Sequence, residues 1–181
     1  MSVGPTYGTY GLSIPVPVRT RIFVSYHHAG DQAYYDAFSK AFHDRYEAVY
    51  DNSVERAVDS DNTDYVMRRI RENHITGTSV TIVLVGQETA VRKYVDWEIK
   101  ATLDKEHALI GVRLPNAKPT ADGKIVVPSR LHDNIESKYA PWITWASLVS
   151  SPEQLNAHIS DAKGRSKALI QNARDMRMRN G

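Results

Sequence analysis

The stretch "SVTIVLVG", residues 79–86, is an almost unbroken run of apolar and β-branched residues that ends in glycine. Runs of this kind are typical of strands in parallel sheets, because helices cover both faces of such a sheet and leave no side exposed to water. We therefore expect this strand to lie at the centre of an α/β sheet, with the remaining elements arranged around it.

Strand-like and helix-like patterns alternate on both sides of this central strand. Four further strands are predicted at "RIFVSYHH", "EAVYD", "ALIGVRL" and "WITW". Helices are predicted at residues 30–46, 64–75 and 89–105, and from "SPEQL" onward. This alternation predicts a doubly wound α/β fold with a mostly parallel sheet of five strands. Ligands of such folds bind beyond the carboxyl ends of the strands.

The composition indicates one ordinary globular domain. Hydrophobic residues make up 41% and charged residues 24% of the 181 positions, which excludes a disordered or fibrous chain. The 23 basic and 21 acidic residues nearly balance, so nucleic acid is not an expected partner. Cysteine is absent, which excludes disulfides and cysteine-bound zinc. With neither a membrane-length apolar run nor a secretory signal, a cytoplasmic location is expected.

Three segments are predicted along the chain. Residues 1–20 are rich in Gly and Pro and are expected to form a flexible N-terminal arm, either without function or used for self-association. Residues 21–150 form the α/β domain, and residues 151–181 form a C-terminal helix that packs on it or extends from it. The basic "RDMRMRN" near the end is expected to be a solvated helix end rather than a nucleic-acid contact.

Several α/β chemistries lack their motifs. No G-x-G-x-x-G, G-x-x-x-x-G-K-[ST] or G-x-S-x-G occurs, which argues against dinucleotide cradles, phosphate loops and serine hydrolases. The acidic "DSDNTD" at 59–64 lacks the turn glycine and the bidentate glutamate of a calcium loop, so a helix cap explains it better. No metal site is predicted.

The predicted helix over residues 89–105 carries a carboxylate on its apolar side. At about 100° per residue, Glu98 falls between Tyr94 and Val91, whereas Asp96 falls on the charged side. An unpaired buried carboxylate is costly, so Glu98 must be paired, hydrogen-bonded or open to a cleft. A buried ion pair and a functional site both meet this requirement, and the position after the central strand favours function.

The first strand directs polar side chains to the same edge of the sheet. Period-two alternation puts Phe23, Ser25 and His27 on one face and Ile22, Val24 and Tyr26 on the other. The hydroxyl and imidazole groups at the strand end suit a ligand. Two alternatives are ordinary loop histidines followed by Asp31 as a helix cap, and a zinc site from His27, His28 and Asp31, although adjacent histidines chelate poorly.

Two stretches carry a family resemblance. "RIFVSYHHAGDQAYYDAF" and "TIVLVGQETAVRKYVDWEIKATL" resemble the TIR domain superfamily, and more narrowly the TIR-like proteins of the bacterial Thoeris anti-phage system, the ThsB group. The resemblance covers about residues 20–150 and implies a flavodoxin-like, TIR-like three-layer sandwich.

The resemblance implies an enzyme that consumes NAD+ as substrate and needs no cofactor. Catalytic TIR domains cleave the bond between nicotinamide and ribose with a Glu on the helix after strand three and an aromatic residue four positions earlier. Glu98 and Tyr94 match these positions, although the family's Trp is here Tyr, and Trp97 adjoins the Glu.

Further roles follow from the same resemblance. Phe23, Tyr94 and Trp97 are expected to stack on substrate rings, and Ser25, Tyr26 and His27 to bind ribose or phosphate. Residues 51–62 correspond to a loop that gates TIR sites and are a candidate lid. The resemblance also implies that the protein makes a cyclic ADP-ribose isomer, a diffusible signal to a separate effector, after an unidentified phage trigger. The alternative is a non-catalytic adaptor that acts through assembly.

Overall fold

The sheet contains the five predicted strands. The computed structural model describes residues 20–49 and 63–181. Its strands are β1 (Thr20–Ser25), β2 (Tyr46–Val49), β3 (Val80–Val85), β4 (Ala108–Arg113) and β5 (Trp142–Thr144). They pair in the order β2-β1-β3-β4-β5, and every pair is parallel. The predicted α/β fold is therefore confirmed, with a sheet that is wholly rather than mostly parallel.

Helices cover both faces of this sheet. They are α1 (His28–Phe42), α2 (Thr63–Arg69), α3 (Lys93–Asp104), α4 (Ser129–Glu136), α5 (Trp145–Leu148) and α6 (Pro152–Gly164). A π-helical turn, Ile70–Ile75, continues α2, and short 3-10 turns lie at Thr89–Val91 and Lys167–Leu169. The helix predicted from "SPEQL" is α6, whose Ser151 caps it by accepting a hydrogen bond from the Gln154 amide.

Two apolar cores lie on opposite faces of the sheet. Phe23 and Val83 belong to the core that α2, α3 and α4 cover, whereas Val24 and Ile82 belong to the core that α1 and α6 cover. All six residues of β3 are buried, because they alternate between the two cores. The result is the three-layer sandwich that the family resemblance implies for this chain.

Two features of the helices differ from the sequence prediction. The helix predicted over residues 89–105 is interrupted at Arg92, whose extended backbone separates the 3-10 turn from α3. Helix α4 has no counterpart in the prediction, because its buried face carries Arg130 and Asn134 beside a single fully buried leucine, Leu131. Polar residues on a buried face give no apolar periodicity to detect.

The strand order places the switch point between β1 and β3. These neighbouring strands are followed by α1 and α3, which pack on opposite faces of the sheet. The two connections therefore diverge at the carboxyl ends of β1 and β3 and leave a crevice there. No helix within residues 20–49 and 63–181 is long and apolar enough to cross a membrane. The predicted arm (apart from Thr20) and the candidate lid at 51–62 lie outside the described residues.

Candidate functional site

A cleft of about 450 Å³ lies at this switch point. Side chains from the ends of β1, β3 and β4 line it, among them His27, Asp31, Gln87, Glu88, Arg92 and Asn116. The volume is within the range of pockets that hold small ligands. Of these residues, His27 was a predicted substrate-binding residue, and Asp31 was considered only as a helix cap or as a ligand in the alternative zinc site. The other lining residues could have been identified from their positions in the sequence. They follow β3 or β4, or they lie in the first turn of α1.

Two polar contacts connect the end of β1 to α3. The Ser25 hydroxyl donates a 2.5 Å hydrogen bond to Oε2 of Glu98, and Nδ1 of His27 lies 2.9 Å from the Tyr94 hydroxyl. Two strand residues span about 6.6 Å and four helical residues about 6 Å. Because α3 runs antiparallel to β1, residues 25 and 27 therefore meet residues 98 and 94 in register. We call these contacts the two rungs.

Glu98 is almost fully enclosed at the inner rung. Its exposed fraction is 2%, and Ser25 beside it is completely buried. The Ser25 hydroxyl gives this buried carboxylate a hydrogen-bond partner, which offsets part of the cost of removing it from water. Glu98 is not among the residues that line the cleft in the described part of the chain. The outer rung, with His27 in the cleft wall, lies between this carboxylate and the cleft.

The outer rung places an imidazole between a phenol and a carboxylate. On the side away from Tyr94, Nε2 of His27 lies 3.5 Å from Oε2 of Glu88. The Glu88 side chain is 57% exposed, and it also pairs with Arg92, four residues later in the sequence. The ring is thus held by partners on both of its nitrogens.

Asp31 forms a second buried polar network at the cleft. Its Oδ2 accepts a hydrogen bond from Thr89, its Oδ1 accepts one from Asn116, and its exposed fraction is 1%. Gly86 is required beside it, because a Cβ there would clash with the carboxylate. The alternative in which Asp31 caps the following helix is wrong, since α1 begins three residues earlier at His28.

The remaining predicted site residues do not join the rungs. Phe23 is packed in the core beneath α3. Tyr26 points to the opposite face, where its ring stacks on Tyr35 at 5.0 Å and its hydroxyl donates to Gln32. Trp97 donates from its indole to the backbone oxygen of Arg177. All three are at most 2% exposed, so stacking on a substrate ring would require them to be uncovered.

The outer surface of α3 is covered by residues 171–181, which we call the strap. The strap begins where Asn134 of α4 bonds the backbone of Gln171 and then runs antiparallel to α3. Asn172 reaches Asp104 near the end of α3, and Asn180 accepts a hydrogen bond from the Lys93 amide at its start. The predicted solvated helix end at "RDMRMRN" is therefore wrong, because these residues are not helical and bind α3.

The burial of Asp96 differs from the prediction of the helical wheel. The residue falls on the charged side of the wheel but is only 6% exposed. Arg130, which is completely buried, donates to both of its oxygens, at 2.9 and 3.3 Å, and the Arg177 amide donates to Oδ2 at 2.8 Å. The wheel could not identify this burial, since α4 and the strap supply the groups that cover Asp96.

A second cavity, of about 350 Å³, lies between α3, the start of α4 and the strap. Arg174 and Asp96 line it, but Asp133 already pairs with the first and Arg130 with the second. We place the candidate site at the switch point, where the wall offers an imidazole and carboxylates next to Glu98. No three His, Asp or Glu side chains within the described residues are arranged to hold a metal ion.

The family assignment rests on a match that includes both rungs. The model of the family described as "Thoeris protein ThsB, TIR-like domain" matches residues 23–119, which is more than half of the 181 residues. A search of curated proteins finds no match. The matched range contains β1 from Phe23 onward and the whole of α3. The resemblance predicted from the first strand and the third helix is thereby confirmed, and the chain belongs to the ThsB family of TIR-like domains from the Thoeris anti-phage defence system.

Proposed function

We propose that this protein cleaves NAD+ between nicotinamide and ribose and closes the remaining ADP-ribose into a cyclic product. That product would act as a diffusible signal to a separate effector in anti-phage defence. The observation that carries the proposal is the inner rung: a buried carboxylate, Glu98, held by the Ser25 hydroxyl beside the switch-point cleft. Substrates of doubly wound folds bind at this edge of the sheet.

The chemistry requires a negative charge near the ribose. Cleavage of a glycosidic C–N bond passes through an oxocarbenium-like state, whose positive charge a neighbouring carboxylate stabilises. Glu98 would supply this charge, and its short bond to Ser25 would keep the carboxylate oriented. Nicotinamide leaves as a neutral group with the electron pair of the broken bond, so no general acid is needed for this step.

Cyclisation depends on a confined intermediate. Holding the two ends of one molecule close together replaces a bimolecular reaction with an intramolecular one and so favours ring closure over capture by bulk water. The cleft at the switch point, about 450 Å³ in volume, offers such a confined space next to the rungs. The family assignment supports a role in Thoeris defence.

The test is direct measurement of the products of NAD+. Protein purified from phage-infected and from uninfected cells is incubated with NAD+, and nicotinamide and cyclic products are measured by mass spectrometry. We expect nicotinamide release, and we expect Glu98→Gln to abolish it. Glu153→Gln is the matched control, because Glu153 is an exposed glutamate on α6, remote from the rungs, that pairs with Arg45.

A second candidate function is supported by the burial of Glu98. A carboxylate that is 2% exposed is not accessible to a substrate in this conformation, whereas an adaptor that works by assembly needs no accessible carboxylate. If protein from infected cells leaves NAD+ intact but forms stable complexes with itself or with a phage component, the adaptor function holds. Release of nicotinamide that depends on Glu98 rejects it.

A further inference from the structure

We propose that the loop over residues 115–126 forms a second subsite, which binds the adenosine diphosphate half of NAD+ while the switch-point cleft binds the nicotinamide riboside half. In this arrangement Lys118 contacts the diphosphate. The inference rests on the proposed cleavage of NAD+ and assigns residues to the half of the substrate that does not react. We call this region the loop subsite.

The loop subsite is a cavity of about 220 Å³ beside the cleft. Gln87 lines both cavities, and the chain passes from the cleft wall at Asn116 directly to the loop subsite at Ala117. Both cavities therefore lie beyond the carboxyl ends of β3 and β4. Two adjoining cavities at this edge of the sheet suit the two halves of an extended dinucleotide.

The two cavities differ in charge. Asp31 and Glu88 line the cleft with carboxylates, and Arg92 in the same wall already pairs with Glu88. In NAD+ the nicotinamide ring is positive, whereas the diphosphate is negative. Attraction between opposite charges and repulsion between like charges are strongest where water is partly excluded. The nicotinamide end therefore fits the cleft, and the diphosphate is favoured on the side of Lys118.

Lys118 has an anchored backbone and an exposed side chain. Its amide donates a 2.9 Å hydrogen bond to Oε1 of Gln87, at the junction of the two cavities. Among the described residues that line the loop subsite, it is the one with a charged side chain. Within residues 20–49 and 63–181, its ammonium forms no hydrogen bond or ion pair. An ammonium on a flexible stem is a common partner of phosphate oxygens.

The apolar wall of the loop subsite suits adenine. Ala117, Pro119, Ile125 and Val126 line it. Val126 is 53% exposed, one of three large apolar side chains that are so exposed in the described part of the chain. Covering this surface with the flat face of a purine removes it from water, which is favourable. Adenine binding therefore accounts for an aliphatic side chain that neither core covers.

The loop is held in shape by its own hydrogen bonds. The Thr120 amide donates to the Lys124 carbonyl, and the Gly123 amide donates to the Thr120 carbonyl, both at 2.8 Å. Gly123 has a φ of +78°, a left-handed conformation that favours glycine. A preformed wall loses little conformational entropy when a ligand binds.

The experiment uses ADP as the probe, because ADP contains the half of NAD+ assigned to the loop subsite and lacks the bond that is cleaved. Its Kd for the full chain is measured by calorimetry, and its site is located by NMR from the backbone amides that shift during a titration. We expect shifts within residues 117–126 and none at residues 167–169, which lie beyond both cavities. Nicotinamide release from NAD+ is measured separately, on protein from infected cells.

Substitutions of exposed side chains test the two contacts without disturbing the core. Lys118→Met removes the charge and should raise the Kd for ADP about 10-fold, through the loss of a charge-assisted hydrogen bond. With NAD+, KM should rise by a similar factor while kcat stays close to wild type, because this half of the substrate does not react. Val126→Ser removes part of the apolar wall and should raise the Kd for ADP about fivefold.

Lys124→Met is the matched control. Lys124 belongs to the same loop, its side chain is 83% exposed, and it pairs with Asp122. It lines a different cavity, beside Trp142. The variant loses the same charge as Lys118→Met and should bind ADP as wild type does.

The possible results have distinct meanings. If the protein releases nicotinamide but ADP shifts no amide within residues 117–126, or binds Lys118→Met as tightly as wild type, the loop subsite is overturned and NAD+ cleavage stands. If ADP binds there but protein from infected cells leaves NAD+ intact, the proposed function fails, and the assignment of this cavity to NAD+ fails with it. ADP binding that depends on Lys118, together with nicotinamide release, supports both.

Discussion

Ser25 and Glu98 are 73 positions apart in the sequence, yet the Ser25 hydroxyl and Oε2 of Glu98 are separated by 2.5 Å. The first residue ends β1, and the second lies at the middle of α3. The contact links β1 to the helix that follows β3, beside the point where the connections after β1 and β3 diverge. The Ser25 hydroxyl thus helps to orient the carboxylate on which the proposed chemistry depends.

Ser25→Ala should lower the rate of nicotinamide release about 10-fold, because it removes a charge-assisted hydrogen bond to Glu98. Steady-state kinetics should place the loss in kcat, with KM changed less, since the bond orients the charge that stabilises the transition state. Thr81→Val is the matched control: it removes a buried hydroxyl that bonds Thr102 beneath α3, while the Thr102 bond to the Glu98 backbone remains. An equal loss of activity in both variants would contradict the role of Ser25.

The rungs illustrate what local sequence patterns can predict. The alternation along β1 placed Ser25 and His27 on one face, and the helical wheel placed Glu98 beside Tyr94 on the other element. Both inferences depend only on strand and helix periodicity, which these buried elements obey. The two pairs of residues meet at one edge of the sheet because the strands are parallel. The alternation of strands and helices along the sequence predicts this parallel arrangement.

The parts that were not predicted depend on contacts between distant segments. Asp96 has an ordinary place on the charged side of the wheel, and its burial is caused by Arg130 and by the Arg177 amide, which lies 81 residues away. The strap has no apolar periodicity, because many of its bonds to α3 involve backbone groups. Patterns within a short window carry no information on such partners.

Asp96 and Arg130 form a buried pair whose disruption should be strongly destabilising. Arg130→Met leaves the carboxylate of Asp96 buried without its guanidinium partner, and the free energy of unfolding should fall by about 3–5 kcal/mol. Chemical denaturation of the single and double variants gives the coupling energy between the two side chains. The double variant Asp96→Leu with Arg130→Met should be less destabilised than the sum of the single variants.

The exposed pair of Asp133 and Arg174 provides the comparison. Hydrogen bonds from Arg174 lower the pKa of Asp133, yet 48% of the Arg174 side chain is exposed. Arg174→Met should therefore cost no more than about 1 kcal/mol. If Arg174→Met destabilises the protein as much as Arg130→Met does, burial does not determine the cost of losing the arginine.

His107 should make stability depend on pH. Burial, followed by the charges of Lys105, Lys167 and Lys163, lowers the pKa of His107 from its ordinary value of 6.5. The unfolded chain therefore binds a proton more readily than the folded chain, so this contribution to stability is present above pH 6.5 and is lost as the pH falls toward the lowered folded pKa.

Urea denaturation of wild type and His107→Gln at several pH values between 5 and 8 measures this effect; both limits are about 1.5 pH units from the ordinary pKa of histidine. Below about pH 6.5, wild type should lose stability relative to the variant, while carboxylates common to both proteins cancel in the difference. A constant difference for His107→Gln would contradict the linkage.

Asn180 should stabilise the start of α3 from the strap. Its side-chain oxygen accepts a hydrogen bond from the Lys93 amide at 2.9 Å, and Arg92, the residue before α3, provides no side-chain cap of its own. Removal of such a cap costs about 1 kcal/mol. In Asn180→Ala, hydrogen exchange of the Lys93 amide should therefore become about fivefold faster. Asn180→Asp should keep protection, because a carboxylate also accepts this bond and interacts favourably with the helix dipole.

Arg179→Ala is the control, since Arg179 is an exposed strap residue adjacent to Asn180. In Arg179→Ala, hydrogen exchange of the Lys93 amide should be as slow as in the wild-type protein. Tyr94 follows Lys93 directly, so fraying of this turn would also loosen the phenol that fixes His27. Asn180→Ala should accordingly lower the rate of nicotinamide release together with helix protection, and Asn180→Asp should restore both. Recovery of protection without recovery of nicotinamide release would show that the strap stabilises α3 without affecting the site.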